Sequence, residues 1–135
     1  MRVALGTDEV TSLVDEIEEH LEVAGHEVVR VARPQPWPRA GKSVGEAVAS
    51  GLADRGVVCC WTGTGVSIAA NKVSGVRAAL CVDAATAAGA RRWNDANVLA
   101  LSLRLTSVEV SREILDAFMN TATDPGEAAM VAELS

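Results

Sequence analysis

The residues best suited to chemistry lie in one run, "CCWTGTGVSIAANK" from Cys59 to Lys72, where two thiols and a tryptophan meet a pair of glycines and the chain then turns small, apolar and helix-like. In an extended strand Cys59 and Cys60 point to opposite faces and do not bridge one another, so one can be core while Cys60, the later of the two, stands at the strand end. The turn Thr62 to Gly65 can aim successive backbone N–H groups at one point, and a helix opening near Val66 adds the positive end of its dipole. That combination is an anion hole. A thiol beside a helix N-terminus has its thiolate favoured, and a thiolate facing an anion hole suits two jobs: nucleophilic attack on a carbonyl, or removal of a proton from the carbon next to one. The plainer alternative is a small hydrophobe closing a strand. "GTGVSI" is not a full dinucleotide fingerprint, because Ile68 holds the place of the third glycine and the turn follows the third strand, and it is not a P-loop.

The elements that would position this run follow from periodicity. Short Val-, Leu- and Ala-rich runs at Arg2 to Gly6, Glu27 to Val31, Gly56 to Trp61, Val76 to Val82 and Val98 to Ser102 read as buried strands. Between the first two, Leu13, Val14, Ile17 and Leu21 recur on one helical face, with Ser12 and Asp15 as a capping pair and Gly25 as the stop. Helical patterns also cover Lys42 to Ala53, Val66 to Ser74, Ala84 to Arg92 and Val108 to Asn120, and Arg33 to Gly41 reads as a proline-rich loop. The alternation predicts one α/β, doubly wound domain spanning 1–135: a parallel five-stranded sheet in a three-layer αβα stack, binding ligands at the carboxyl ends of its strands.

Composition narrows the function classes. The chain has 135 residues, 49% of them hydrophobic, and carries 12 Lys and Arg against 18 Asp and Glu, a formal net charge of -6 with no basic block. Nucleic acid and anionic membrane are therefore excluded as expected partners. No apolar run reaches membrane-span length, and three cysteines without a secretory leader imply reduced thiols, so a cytoplasmic location is expected. His20 and His26 are the two histidines, both near a helix end, and no Cys/His spacing resembles a zinc site. Cys59 and Cys81 read as core thiols, and Phe118, Met119 and Met130 as packing or dimer contacts.

The run Cys60 to Leu101, with "TGTG", "AANK", "GVRA" and "NDANVLAL", together with "GTDE" near the start and "EAVASGLADRG", resembles the ribose-5-phosphate isomerase B and galactose-6-phosphate isomerase family over nearly the whole chain. The resemblance implies a Rossmann-like fold and a homodimer with composite sites at the interface, or a tetramer built from it, acting on a small-molecule sugar with no metal and no organic cofactor. It places Cys60 on the family's base, Thr62 on a threonine that assists ring opening, and the amides of Gly63, Thr64, Gly65, Val66 and Ser67 around the enediolate oxygen. Asp8 matches the aspartate that binds sugar hydroxyls, Asn94 a substrate-binding asparagine, and Arg104 an arginine on the phosphate side. Glu9 and Trp93 stand where the family has histidines, the second of which opens the sugar ring, and Glu127 lies where it has phosphate-gripping arginines. Arg39, Lys42, Arg91 and Arg92 are the cations left to compensate. All three tryptophans, Trp37, Trp61 and Trp93, fall around the implied site, whose flat faces suit sugar C–H edges. The resemblance thus implies an aldose–ketose isomerase working through a cis-enediolate on a non-standard sugar or sugar phosphate. Two rivals are a catalytically silent sugar-binding subunit and a thiol enzyme using Cys60 as nucleophile.

Overall fold

The computed structural model describes residues 1–32 and 34–134. The elements run β1 (Arg2–Thr7), α1 (Ser12–Val23), β2 (Glu27–Ala32), α2 (Trp37–Ala49), β3 (Arg55–Cys60), α3 (Thr64–Asn71), β4 (Ala78–Leu80), α4 (Ala84–Asn94), β5 (Val98–Ser102), α5 (Val108–Asn120), a 3-10 turn (Pro125–Glu127) and α6 (Ala128–Ala132). The five strands pair in parallel in the order β2-β1-β3-β5-β4. The expected three-layer α/β architecture is what the chain adopts, and the order reverses between β1 and β3, which makes the crevice at their carboxyl ends the place for a ligand.

Continuous apolar strands are required because both faces of the sheet are covered. Val3, Leu5, Val57, Cys59, Leu99 and Leu101 face a core shared with Leu13, Val14, Ile17 and Leu21 of α1, Ala87 and Ala90 of α4, and Ile114, Leu115 and Phe118 of α5. Ala4, Val58, Cys60, Val98 and Ala100 face the other core, with Ala40, Val44 and Ala47 of α2 and Val66 and Ala70 of α3. The two neighbouring thiols accordingly point to opposite layers, as strand geometry requires.

The second layer is built from small residues because its helices come close. A Cβ on Gly41 would lie 2.6 Å from both the Ala69 Cβ and the Val66 carbonyl oxygen, and one on Gly56 would lie 2.4 Å from the Val44 Cγ1. Glycine at these points lets α2 rest directly on α3 and on the sheet. The position of α3, and with it the turn that precedes it, is thereby set by backbone contact.

Element ends correct several sequence expectations. The α1 cap is Thr11, whose hydroxyl accepts from the Val14 N–H at 3.4 Å, one residue before the expected Ser12, and Gly25 follows the helix at φ 93°. Helix α2 begins at Trp37, inside the stretch read as a loop, with Pro38 in its first turn, where a missing N–H costs nothing. The first residue of that stretch, Arg33, lies outside the described residues. β4 shrinks to three residues because the Asn71 side chain brackets Ala78, accepting from its N–H at 2.8 Å and donating to its oxygen at 3.0 Å, while Asn97 Oδ1 takes the Arg77 N–H at 2.8 Å. The 3-10 turn and α6 carry no periodic apolar face long enough to be read from sequence.

His20 and His26 are not simply solvated. The former's Nε2 lies 2.7 Å from Asp116 Oδ1, and the latter's Nδ1 lies 3.2 Å from the N-terminal amine.

Gly41→Ala tests the close approach. In an unhindered helix interior this exchange would add up to about 1 kcal/mol, but here overpacking against Ala69 and the α3 backbone dominates. A net loss of about 1–3 kcal/mol is expected in urea unfolding.

Candidate active site

Three strand ends converge at the crevice. After β1, the Asp8 N–H donates to the Cys59 carbonyl at 3.2 Å, tying this loop to β3. The Thr7 hydroxyl donates to the Glu9 carbonyl at 2.6 Å and accepts from the Glu9 N–H at 3.2 Å, and the Gln35 N–H donates to the Thr7 carbonyl at 3.2 Å. The short Asp8–Glu9 segment is therefore held from two sides. After β5, the Leu103 N–H donates to the Cys60 carbonyl at 2.9 Å, and the Trp61 carbonyl accepts from the Ser102 hydroxyl and the Arg104 N–H, each at 3.0 Å. Thr7 and Ser102 were not among the residues singled out for the site. Each is a buried hydroxyl residue closing an otherwise apolar strand, and that is the sequence signal that would have marked them.

The turn between β3 and α3 is built around Gly63. Gly63 sits at φ 77°, a left-handed conformation, where a Cβ would also meet Leu80 at 2.6 Å and the Leu101 backbone carbonyl carbon at 2.9 Å. The first bond of the α3 ladder joins the Ser67 N–H to the Gly63 carbonyl at 3.3 Å, so the N–H groups of Thr64, Gly65 and Val66 precede the ladder and have no partner within it, while the expected Ser67 amide is taken up by the helix itself. The Thr62 and Thr64 hydroxyls are 2.7 Å apart. Trp37 lays its indole on Gly65, where an added Cβ would be 2.8 Å from the ring. The tryptophans are not buried filler: Trp37, Trp61 and Trp93 are 46%, 54% and 55% exposed.

The thiols differ in environment. Cys59 is fully enclosed, and burial, followed by the influence of Cys60 and Asp8, pushes its pKa up to about 12. Cys81 is pushed up to about 11, again first by burial and then by Asp83. Neither can serve as a thiolate at neutral pH. Cys60 is 5% exposed, at the outer end of the α2/α3 core, opposite Ser102 in the strand register. Asp8 is half-buried, yet its Oδ1 is enclosed with no hydrogen-bond partner. Its pKa is raised by burial and then by the charge of Glu9, against a smaller opposing effect of its own backbone N–H.

The candidate residues form two groups within one chain. Asp8, Glu9, Trp37, Cys60 to Ser67 and Arg104 gather at the carboxyl ends of the strands. Trp93 and Asn94 lie at the far end of α4, near the amino ends, where the Asn97 carbonyl accepts from the Gly56 N–H at the start of β3. They border a groove of about 530 Å³ with Ala79, Thr86 and Gly89. Glu127 is on that side too, since the Asp124 N–H donates to the Arg92 carbonyl at 2.9 Å. Of the compensating cations, Arg91 is ruled out: it is buried and spent on Asp95 at 3.0 Å, the Ala96 carbonyl at 2.6 Å and Thr123 at 3.2 Å. Lys42 lies 3.8 Å from Glu46, while Arg39 and Arg92 are exposed. Among the described residues no group of three acidic, His or Cys side chains is placed to hold a metal ion, and no helix is long and apolar enough to cross a membrane.

A family model for ribose/galactose isomerases matches residues 3–133. The chain belongs to this family. It is 38% identical over 130 residues to the galactose-6-phosphate isomerase subunit LacB of Clostridium acetobutylicum, covering 93% of this chain and 75% of that one. It is 36% identical over 130 residues to ribose-5-phosphate isomerase B of Escherichia coli, covering 93% and 87%. Among solved structures, ribose-5-phosphate isomerase B of Clostridium thermocellum superposes with a TM-score of 0.94 at 37% identity, covering 99% of this chain and 95% of that one. The isomerase family thus supplies the reaction class.

The enclosed Asp8 oxygen makes the site costly to the fold. Because the folded-state pKa of Asp8 is raised, the penalty is fully present above that pKa and disappears as pH falls below the unfolded carboxylate value. Asp8→Asn is expected to stabilise the chain at pH 7 by on the order of 1 kcal/mol. In urea titrations at a series of pH values the gain shrinks toward zero as the carboxylates of both states protonate.

Proposed function

We propose that this protein is an aldose–ketose isomerase that carries a proton between adjacent sugar carbons through a cis-enediolate, with Cys60 as the carbon base. The observation that carries the reading is the juxtaposition at the end of β3: a thiol, a left-handed glycine and three N–H groups ahead of the α3 ladder, in a chain that belongs to an isomerase family. The thiolate removes the proton next to the carbonyl, the electron pair moves onto the carbonyl oxygen, and the amides of Thr64, Gly65 and Val66 hold the resulting charge, the Ser67 N–H being taken by the Gly63 carbonyl. The thiol then returns the same proton to the neighbouring carbon. Thr62 and Asp8 handle substrate hydroxyls.

The substrate is a sugar other than a standard pentose 5-phosphate. Glu9 and Glu127 put anionic groups where a phosphate dianion would lie, and like charges brought together in a partly enclosed site cost several kcal/mol. The loss of Arg91 to a structural role supports the same view. The three half-exposed indoles provide flat apolar walls for sugar faces.

The working unit is a homodimer. Support comes from the separation of the site residues into two groups at opposite ends of the sheet, and from the apolar surface around Trp93, Ile68, Val82 and Leu134 flanking the edge strand β4. A partner would bring its Trp93, Asn94 and Glu127 group to the Cys60 crevice. One specific observation favours the rival silent subunit: Cys60 is almost enclosed in the single chain, and the larger cavities lie elsewhere.

Proton NMR in deuterium oxide with phosphorylated, free and amino sugars decides between these. Deuterium is expected at the carbon beside the carbonyl of at least one sugar, with the rate falling by at least about 100-fold in Cys60→Ala. Exchange with no sugar in the panel would support the silent subunit, and ribose 5-phosphate turnover equal to that of the Escherichia coli relative would refute the substrate assignment.

A further inference from the structure

We propose that Asp8 is the general acid that protonates the ring oxygen when a cyclic sugar opens, with the neighbouring Glu9 carboxylate taking the proton of the anomeric hydroxyl. This deepens the isomerase reading above and rests on it. A sugar in its ring form has no carbonyl, so no carbon beside it is acidic until the hemiacetal opens. Opening needs one proton delivered to the ring oxygen and one removed from the anomeric oxygen.

The rim of the sheet offers few groups for that exchange. The histidines are at the other end: His26 meets the N-terminal amine at the start of β2, and His20, in the last turn of α1, meets Asp116. In the described loops that leave the carboxyl ends of the strands the titratable side chains are Asp8, Glu9, Cys60 at its strand end, Cys81, Asp83 and Arg104, with Asp15, Arg39 and Glu109 one turn into the helices that follow. Asp83 is occupied as the α4 cap, accepting the Thr86 N–H at 2.7 Å. Cys81 is buried and keeps its proton. Cys60 is engaged with the carbon. Within the strand-end loops of one chain two carboxyls remain, Asp8 and Glu9.

Their setting separates them into donor and acceptor. Asp8 keeps one oxygen enclosed without a partner, which favours its proton-carrying form relative to that of Glu9, which is exposed. Burial and the Glu9 charge both favour the neutral form of Asp8. The bond from the Asp8 N–H to the Cys59 carbonyl and the Thr7 hydroxyl clasp on Glu9 fix the pair beside the strand that carries Cys60. An aspartate serving only to collect hydroxyl protons would gain from having both oxygens accessible and charged.

The step balances. Glu9 takes the anomeric O–H proton, the O–H electrons form the new carbonyl, the bond from the anomeric carbon to the ring oxygen breaks, and the ring oxygen receives the Asp8 proton. Glu9 ends protonated and Asp8 charged, and one proton passed between the adjacent carboxyls restores the start. No oxidant or cofactor enters.

The test compares Asp8→Asn and Glu9→Gln with wild type on two substrates: a pentose, free or as its 5-phosphate, whichever wild type turns over faster, which closes a furanose ring, and a tetrulose 4-phosphate, whose esterified terminal oxygen cannot close one. General acid–base catalysis is worth about 100- to 10,000-fold, so kcat for the pentose should fall at least about 100-fold further than kcat for the tetrulose in Asp8→Asn. KM should shift alike for both. Anomer interconversion of the pentose, followed by NMR exchange, should be accelerated by wild type and not by Asp8→Asn. Equal losses on the two substrates would reduce Asp8 to a hydroxyl-binding role and overturn the proposal. Wild type that exchanges protons into none of these nor into any phosphorylated, free or amino sugar of the panel would overturn the isomerase reading itself.

Discussion

The close approach of α2 and α3 to the sheet is the constraint on which the site depends. Gly41 and Gly56 are places where even a methyl group would collide with backbone or with Val44, so this layer packs by shape with almost no tolerance. Large side chains on the strands would lift the helices and swing the start of α3 away from β3. Small ones, Ala4, Val58, Cys60 and Ala100, keep the helix low enough for the Gly63 turn to tuck against Leu101. The opposite layer carries the bulk, with Phe118, Leu5, Leu99 and Ile114 fully buried. Stability and positioning are thus divided between the two faces of one sheet.

That division explains what a cysteine at position 60 can and cannot be. A thiol is small enough for the thin layer and polarisable enough to sit among methyl groups, so burial alone does not distinguish a structural from a reactive role. What differs between positions 59 and 60 is the face. Cys59 lies under α1, α4 and α5, where enclosure drives its pKa to about 12, whereas Cys60 lies on the face that ends in the glycine turn. The neighbouring Asp8, with an unsatisfied enclosed oxygen, is a cost that a site selected for stability alone would not carry.

Much of this was legible in the sequence. The alternation of apolar strands with helical periods is enough to place the five strands, and the opposed faces of Cys59 and Cys60 follow from a two-residue repeat. The start of α2 was not legible, since two prolines flanking Trp37 read as a loop, and only the packing of that tryptophan on Gly65 makes a helix start there sensible. The clasping hydroxyls of Thr7 and Ser102 escaped because their partners are main-chain atoms, so residue type shows only that a hydroxyl closes each apolar strand and not what it holds. Arg91 looked like a ligand for anions, and it is a buried strut. Its partners at Asp95, Ala96 and Thr123 are brought together by the left-handed residue Asp95 after α4, a conformation that the sequence does not announce.

The placement of the tryptophans argues for a rebuilt pocket over incidental filling. An indole that fills a void is surrounded, but here each ring keeps roughly half its surface open. Two are backed by glycine: Trp37 on Gly65, and Trp93 folded onto Gly89 one turn earlier on its own helix, where an added Cβ would be 2.7 Å from the ring. The third, Trp61, is anchored through its carbonyl by Ser102 and Arg104, leaving its side chain outside. Glycine behind an aromatic ring holds it flat against backbone and restricts its tilt, so the open face is presented in one orientation. Rigid, flat, half-open surfaces bind planar or C–H-rich ligand faces without the entropy loss of ordering long side chains. In a chain with a single phenylalanine and no tyrosine, aromatic area is concentrated where a ligand can touch it, and the stability of the fold is left to aliphatic packing.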